Sequence, residues 1–87
     1  GGITAFTISG NGITNNYIFP INPYLYGIEN IWSMSVTVNG ILQRPFIDYD
    51  FNTDSAEAFD IVFNTVPAAG TNIAVTAKTQ FTFVDTL

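Results

Sequence analysis

The fold class of this chain of 87 residues is clearest at residues 32–42, which have the sequence WSMSVTVNGIL. Apolar and polar side chains alternate along residues 32–38 with a period of two, which is typical of a β-strand that buries one face. The same alternation places Trp32 in phase with Met34 and predicts that the indole belongs to the core. The next two residues, Asn39-Gly40, accept the positive φ angles of a tight type I′ turn, so the stretch predicts a β-hairpin.

The rest of the chain repeats this pattern of short alternating segments separated by Gly, Pro and Asn. Further strands are predicted at residues 4–8, 17–21, 47–51, 59–63 and 73–83. The first two are expected to pair as a hairpin because turn-forming residues lie between them, at positions 9–12. Helical periodicity is almost absent. The chain is therefore predicted to be a single all-β domain over residues 1–87, a small antiparallel β-sandwich or barrel of about six or seven strands.

Composition disfavours several classes of function. Hydrophobic residues make up 47% of the chain and charged residues 10%, which is too apolar for a disordered protein. The net charge of −5 leaves no basic surface for phosphates, so nucleic acid is not expected as a partner. No apolar run reaches the ~18 residues of a membrane helix, and membrane insertion is not expected either. The lack of Cys and His removes disulfides, thiolate nucleophiles and the usual near-neutral proton carrier, which disfavours catalysis.

Residues 48–54 carry the one run that suggests metal chemistry, because an acidic or amide oxygen recurs at every second position of DYDFNTD. This spacing resembles the first half of a calcium-binding loop, but Thr53 stands where such a loop needs Gly and Phe59 where it needs a bidentate Glu. We therefore favour a strand whose exposed acids keep a sheet edge soluble. No metal and no cofactor is expected. An enzymatic activity is not expected either, since no nucleophile is paired with a base.

Four aromatic residues are candidates for contacts with a partner. Tyr24 and Tyr26 lie in the longest predicted loop, residues 22–30, and amphipathic aromatic side chains are enriched at interfaces. Phe81 and Phe83 lie on the last strand, which we expect to be an extended edge strand that offers unpaired backbone groups. A thin core cannot hide every aromatic side chain of so small a chain, so association with other subunits is expected.

Between residues 36 and 75, turns and strands follow one another in a specific order. A strand with an Asn-Gly hairpin leads to a Gln-x-Pro exit, an Asp-Tyr pair, a strand ending in Phe, a Pro-x-x-Gly turn and a last apolar strand. These features are carried by Val36, Val38, Asn39, Gly40, Gln43, Pro45, Asp48, Tyr49, Ile61, Phe63, Pro67, Gly70, Ile73 and Val75. This half of the chain resembles a small β module that recurs in the virion proteins of tailed bacteriophages, notably tail fibres and related appendages.

The resemblance implies a non-enzymatic structural protein of the virion, either a fibre or appendage module or a capsid decoration protein. Its partners would be other virion proteins, and a homo-oligomer is expected. The resemblance supplies turn residues and no catalytic, cofactor or metal residues. The rival function is a carbohydrate- or receptor-binding module for a host-surface glycan, which would need Tyr24 and Tyr26 exposed beside polar groups in a groove.

Overall fold

The computed structural model describes residues 3–23, 26, 28, 30–53 and 55–78. In this part of the chain seven β-strands form two antiparallel sheets, with one 3-10 turn and no α-helix, which confirms the all-β fold class. The elements are β1 Ile3–Ser9, β2 Asn16–Phe19, the 3-10 turn Ile31–Ser33, β3 Met34–Val38, β4 Ile41–Leu42, β5 Tyr49–Asn52, β6 Phe59–Phe63 and β7 Asn72–Lys78. No helix among these residues is long and apolar enough to cross a membrane.

The hydrophobic core lies between the two sheets, so the fold is a sandwich. Val36, Ile73 and Val75 come from one sheet and Phe59 and Ile61 from the other, and all five are completely buried. Each occupies a buried position of a strand on which buried and more exposed residues alternate. The apolar positions of the alternating sequence pattern therefore form the inward face of each sheet.

The four-stranded sheet has the order β1-β7-β3-β4, which places β7 in its interior. β7 pairs with β1 along its whole length and with β3 over residues 73–77. The expectation of an edge strand is therefore wrong for residues 72–78. The physical reason lies in its two faces: the inward face is completely buried, and the outward residues Ala74 and Thr76 lack the charges that protect an edge. The rest of the predicted strand, residues 79–83, lies outside the described residues.

The three-stranded sheet has the order β2-β6-β5, so β1 and β2 belong to different sheets and the predicted hairpin between them is wrong. The turn that follows β1 bonds to a distant turn instead, because the Gly10 N–H donates to the Thr71 carbonyl over 2.8 Å. A Cβ atom on Gly10 would lie 2.7 Å from the carbonyl oxygen of Ala68, so this close approach requires glycine. Residues 10–15 thereby carry the chain from one sheet to the other.

The predicted Asn39-Gly40 hairpin is confirmed between β3 and β4. Both residues have positive φ angles, 51° at Asn39 and 81° at Gly40, and Val38 pairs with Ile41 across the turn. The turn is also tied to the start of β7, since the Asn39 side chain accepts a hydrogen bond from the Asn72 N–H over 2.9 Å. The hairpin therefore fixes the edge of the four-stranded sheet to its interior.

The prediction that Trp32 belongs to the core is wrong, since its side chain is 70% exposed. Trp32 lies in the 3-10 turn before β3, where the side chain of Asn30 accepts a hydrogen bond from the Trp32 N–H over 2.9 Å. The turn breaks the period of two, and Ile31 is the residue that it buries. The alternation therefore describes only Met34–Val38.

Candidate functional site

Of the four aromatic residues predicted as partner contacts, the structure describes one. Tyr24, Phe81 and Phe83 lie outside the described residues. Tyr26 is half-buried at the margin of the core, and its ring meets that of Phe6 edge-on with the ring centroids 5.4 Å apart. Tyr26 therefore contributes to packing within the domain.

A different group of large apolar side chains is exposed. Its members are Ile13, Ile18, Trp32, Ile41, Leu42, Phe46, Ile47, Val62 and Val66. Two of them form an aromatic pair at the surface: the rings of Trp32 and Phe46 meet edge-on with centroids 5.9 Å apart. Their exposures of 70% and 64% show that this pair is presented to the outside and not packed into the core.

An ion pair closes the loop that carries Phe46. The Arg44 guanidinium donates to the Asp48 carboxylate from Nε over 3.0 Å and from Nη2 over 3.1 Å, and the Arg44 N–H donates to the same carboxylate over 2.8 Å. The side-chain bond, followed by the backbone bond, holds the pKa of Asp48 below its ordinary value of 3.8. The same side-chain bond raises the pKa of Arg44. Residues 44–48 therefore form a small closed loop with Phe46 at its centre.

The backbone of Phe46 is strained, with a φ of 67° in the left-handed region that bulky residues rarely adopt. Such strain persists only where the surroundings determine the conformation. Here the Phe46 N–H donates to the Tyr49 carbonyl over 2.7 Å, and the Asp48 N–H donates to the Arg44 carbonyl over 2.8 Å. The loop therefore holds the backbone that carries this exposed ring in one conformation.

A cleft of about 410 Å³ lies beside this ring, within the ~300–1,000 Å³ range of small-molecule sites. Phe46 lines it together with the polar residues Asn15, Asp50 and Asn64. Asp50 is exposed on the outward face of β5, directly across from Val62 of β6. The cleft thus combines an aromatic ring, a carboxylate and two amides.

A second cleft, of about 330 Å³, lies between the β3–β4 hairpin and the turn at residues 65–71. Asp48 is the ionisable side chain in its lining, and that carboxylate is already bound by Arg44. The cleft beside Phe46 is therefore the stronger candidate site.

The acidic run at residues 48–54 is divided by the fold. Asp48 turns toward Arg44, whereas Asp50 lies on β5, an edge strand of the three-stranded sheet. Asp54 lies outside the described residues. Among the residues that the structure describes, no three acidic side chains are grouped so that they could hold a metal ion. The position of Asp50 fits the interpretation of exposed acids on a sheet edge.

Comparisons of the chain with protein-family models, with curated proteins and with solved structures found no match. The candidate site is therefore defined by its own geometry.

Proposed function

We propose that the chain is a non-enzymatic structural module of a bacteriophage particle, either in a fibre or appendage or as a capsid decoration protein. It acts through contacts with other virion proteins. The observation that carries this proposal is the exposed Trp32–Phe46 pair on a closed loop.

The exposed pair favours a protein contact on energetic grounds. Complete burial of a large apolar side chain contributes about 1.5–3 kcal/mol, and Trp is among the residues that most often dominate interfaces. The loop hydrogen bonds fix the backbone at Phe46 and the ring contacts Trp32 before a partner arrives, which reduces the entropy lost on binding.

The outward face of the four-stranded sheet is a second surface suited to assembly. Six outward residues at its centre, on β1, β7 and β3, are small and uncharged: Ala5, Thr7, Ala74, Thr76, Ser35 and Thr37. A face of this kind meets little charge repulsion from another copy of a chain with a net charge of −5. This supports the expectation of a homo-oligomer.

Two turns on which the resemblance to the phage module rests are formed by this chain. Asn39-Gly40 closes the β3–β4 hairpin, and Gly70 has a φ of 81° in the turn before β7. The rival function, glycan binding at Tyr24 and Tyr26, has less support because the Tyr26 ring packs against Phe6.

Incorporation of variant chains into particles tests the proposal. Trp32→Ser should lower the amount of chain in purified particles, because it removes half of the aromatic pair. Ile13→Ser is the matched control, since Ile13 is 83% exposed and lines neither cleft. Equal incorporation of both variants at the parental level would contradict the role given to the aromatic pair.

A further inference from the structure

We propose that the cleft beside Phe46 receives an arginine side chain from a basic partner protein. The inference rests on the proposed function, since it names the chemistry of the partner in one of the protein contacts. It has three elements: the charge of the chain, the ring of Phe46 and the polar residues that line the same cleft.

The first element is charge complementarity. The chain has seven acidic residues and two basic ones. One of the two, Arg44, is bound to Asp48 and does not line the cleft, so it does not neutralise the charge of Asp50 there. Asp50 lines the cleft and is exposed. A cationic ligand is therefore attracted to the site, whereas a phosphate or another anionic ligand is repelled.

The second element is the aromatic ring. The Arg44–Asp48 ion pair closes the loop that carries Phe46, and the Phe46 ring contacts Trp32. One aromatic surface is therefore in place at the cleft before a ligand binds. A guanidinium is planar and weakly hydrated, and it stacks on aromatic faces. An ammonium group has the same charge and lacks this plane, which makes arginine a better match than lysine.

The third element is the set of acceptors. Oδ1 of Asp50 accepts a hydrogen bond from the Phe51 N–H over 2.8 Å, and the carboxylate keeps further acceptor sites for the N–H groups of a guanidinium. Asn15 uses its side-chain NH₂ as a donor to the Phe63 carbonyl over 3.0 Å, which leaves its amide oxygen as an acceptor. Asn64 supplies a second amide to the lining. A carboxylate with amide oxygens matches a ligand that only donates hydrogen bonds, and arginine is such a ligand.

The test uses the full 87-residue chain, labelled with ¹⁵N, and follows its backbone amide signals during titration with Nα-acetyl-argininamide. Signals of residues 46–50 and 62–64 should shift together, and added salt should weaken the binding. Nα-acetyl-lysinamide should bind more weakly, and methyl α-glucoside, a neutral sugar probe, should leave the signals in place. Shifts with the glucoside and none with the arginine probe would overturn the proposal in favour of a sugar site, and no shift with any probe would also overturn it.

Two variants that each remove one negative charge distinguish binding in the cleft from general attraction of the arginine probe to an acidic chain. Asp50→Asn should weaken binding of the arginine probe about tenfold, as expected for loss of a charge-assisted hydrogen bond. Glu57→Gln removes one charge from an exposed position that does not line the cleft, and it should change the affinity less than about twofold. Equal weakening by the two variants would overturn the proposal.

A third variant tests the ring. Phe46→Asn introduces a residue that tolerates positive φ, so the loop can retain its conformation while the aromatic surface is lost. This variant should also bind the arginine probe more weakly. Its amide spectrum should remain dispersed, which would show that the chain is still folded. Unchanged affinity in this variant would overturn the part given to Phe46. These titrations test the arginine cleft, whereas incorporation of the chain into particles tests the structural role. Either proposal can therefore fail while the other holds.

Discussion

Phe46 is held by the hydrogen bonds of its loop and not by burial, and this has a consequence for stability. A bulky residue at a φ of 67° carries a cost of about 1–2 kcal/mol that Asn largely avoids. The edge-on contact with Trp32 contributes about 0.5–1.5 kcal/mol in return. We expect the free energy of unfolding of Phe46→Asn, measured with urea, to lie within about 1 kcal/mol of the parent. A loss of more than about 2 kcal/mol would show that packing of the ring matters more than backbone strain.

Gly40 gives a second prediction at the residue scale. An added Cβ atom would meet nothing within 4 Å, so the cost of a side chain comes from the φ of 81° alone. Gly40→Val should destabilise the chain by about 1–3 kcal/mol because a β-branched residue is strained in this region. Thermal and urea unfolding would measure it. A variant as stable as the parent would contradict the type I′ turn.

Asp48 gives a pH dependence. Its pKa in the folded chain lies below the ordinary value of 3.8, so its bonds with Arg44 contribute stability above that value and lose it as the pH falls through the folded pKa. The difference in unfolding free energy between the parent and Asp48→Asn should therefore be largest above about pH 4 and shrink as the pH falls through the folded pKa of Asp48. Asp50→Asn is the control outside this ion pair. A difference that stays constant over this range would mean that the ion pair does not contribute.

The candidate site could not be predicted from the sequence, and individual residues show why. Trp32 continues the alternation of β3 in sequence, and only the 3-10 turn capped by Asn30 shows that its side chain leaves the core. Phe46 occupies a conformation that its residue type disfavours, so no propensity points to it. Arg44 and Asp48, four residues apart, were the available signal for a closed loop.

At the scale of elements, the sequence predicted strands well and some of their partners poorly. The β3–β4 hairpin is local, and Asn39-Gly40 encodes it within two residues. By contrast, the pairing of β1 with β7 joins opposite ends of the described chain. It depends on contacts such as Gly10 with Ala68, which no short window of sequence contains. The interior position of β7 follows from the same long-range pairing.

The edge strand β5 gives a prediction about metal ions. Asp50 faces outward on this strand while Asp48 is bound by Arg44, so the acidic run does not act as one ligand set in the described part of the chain. The melting temperature should stay unchanged when EDTA is added. A drop of several degrees that calcium reverses would contradict this interpretation of residues 48–54.

At the scale of the whole molecule, the two sheets differ in the chemistry of their outward faces. The three-stranded sheet carries Asp50 and Asp60 outward, whereas the outward residues Ala5, Thr7, Ser35, Thr37, Ala74 and Thr76 of the four-stranded sheet are uncharged. This division could not be predicted from composition, because it depends on which strands share a sheet. It leads us to expect contacts between copies at the four-stranded sheet and contacts with a basic partner beside Phe46.

A density map of the intact particle at side-chain resolution would test the proposal that the chain is a docked module of a virus particle. We expect the chain on the capsid, tail or fibre, with Trp32 and Phe46 losing most of their exposed surface to a neighbouring subunit. Absence of the chain from the particle, or a docked chain with both rings still facing solvent, would contradict it.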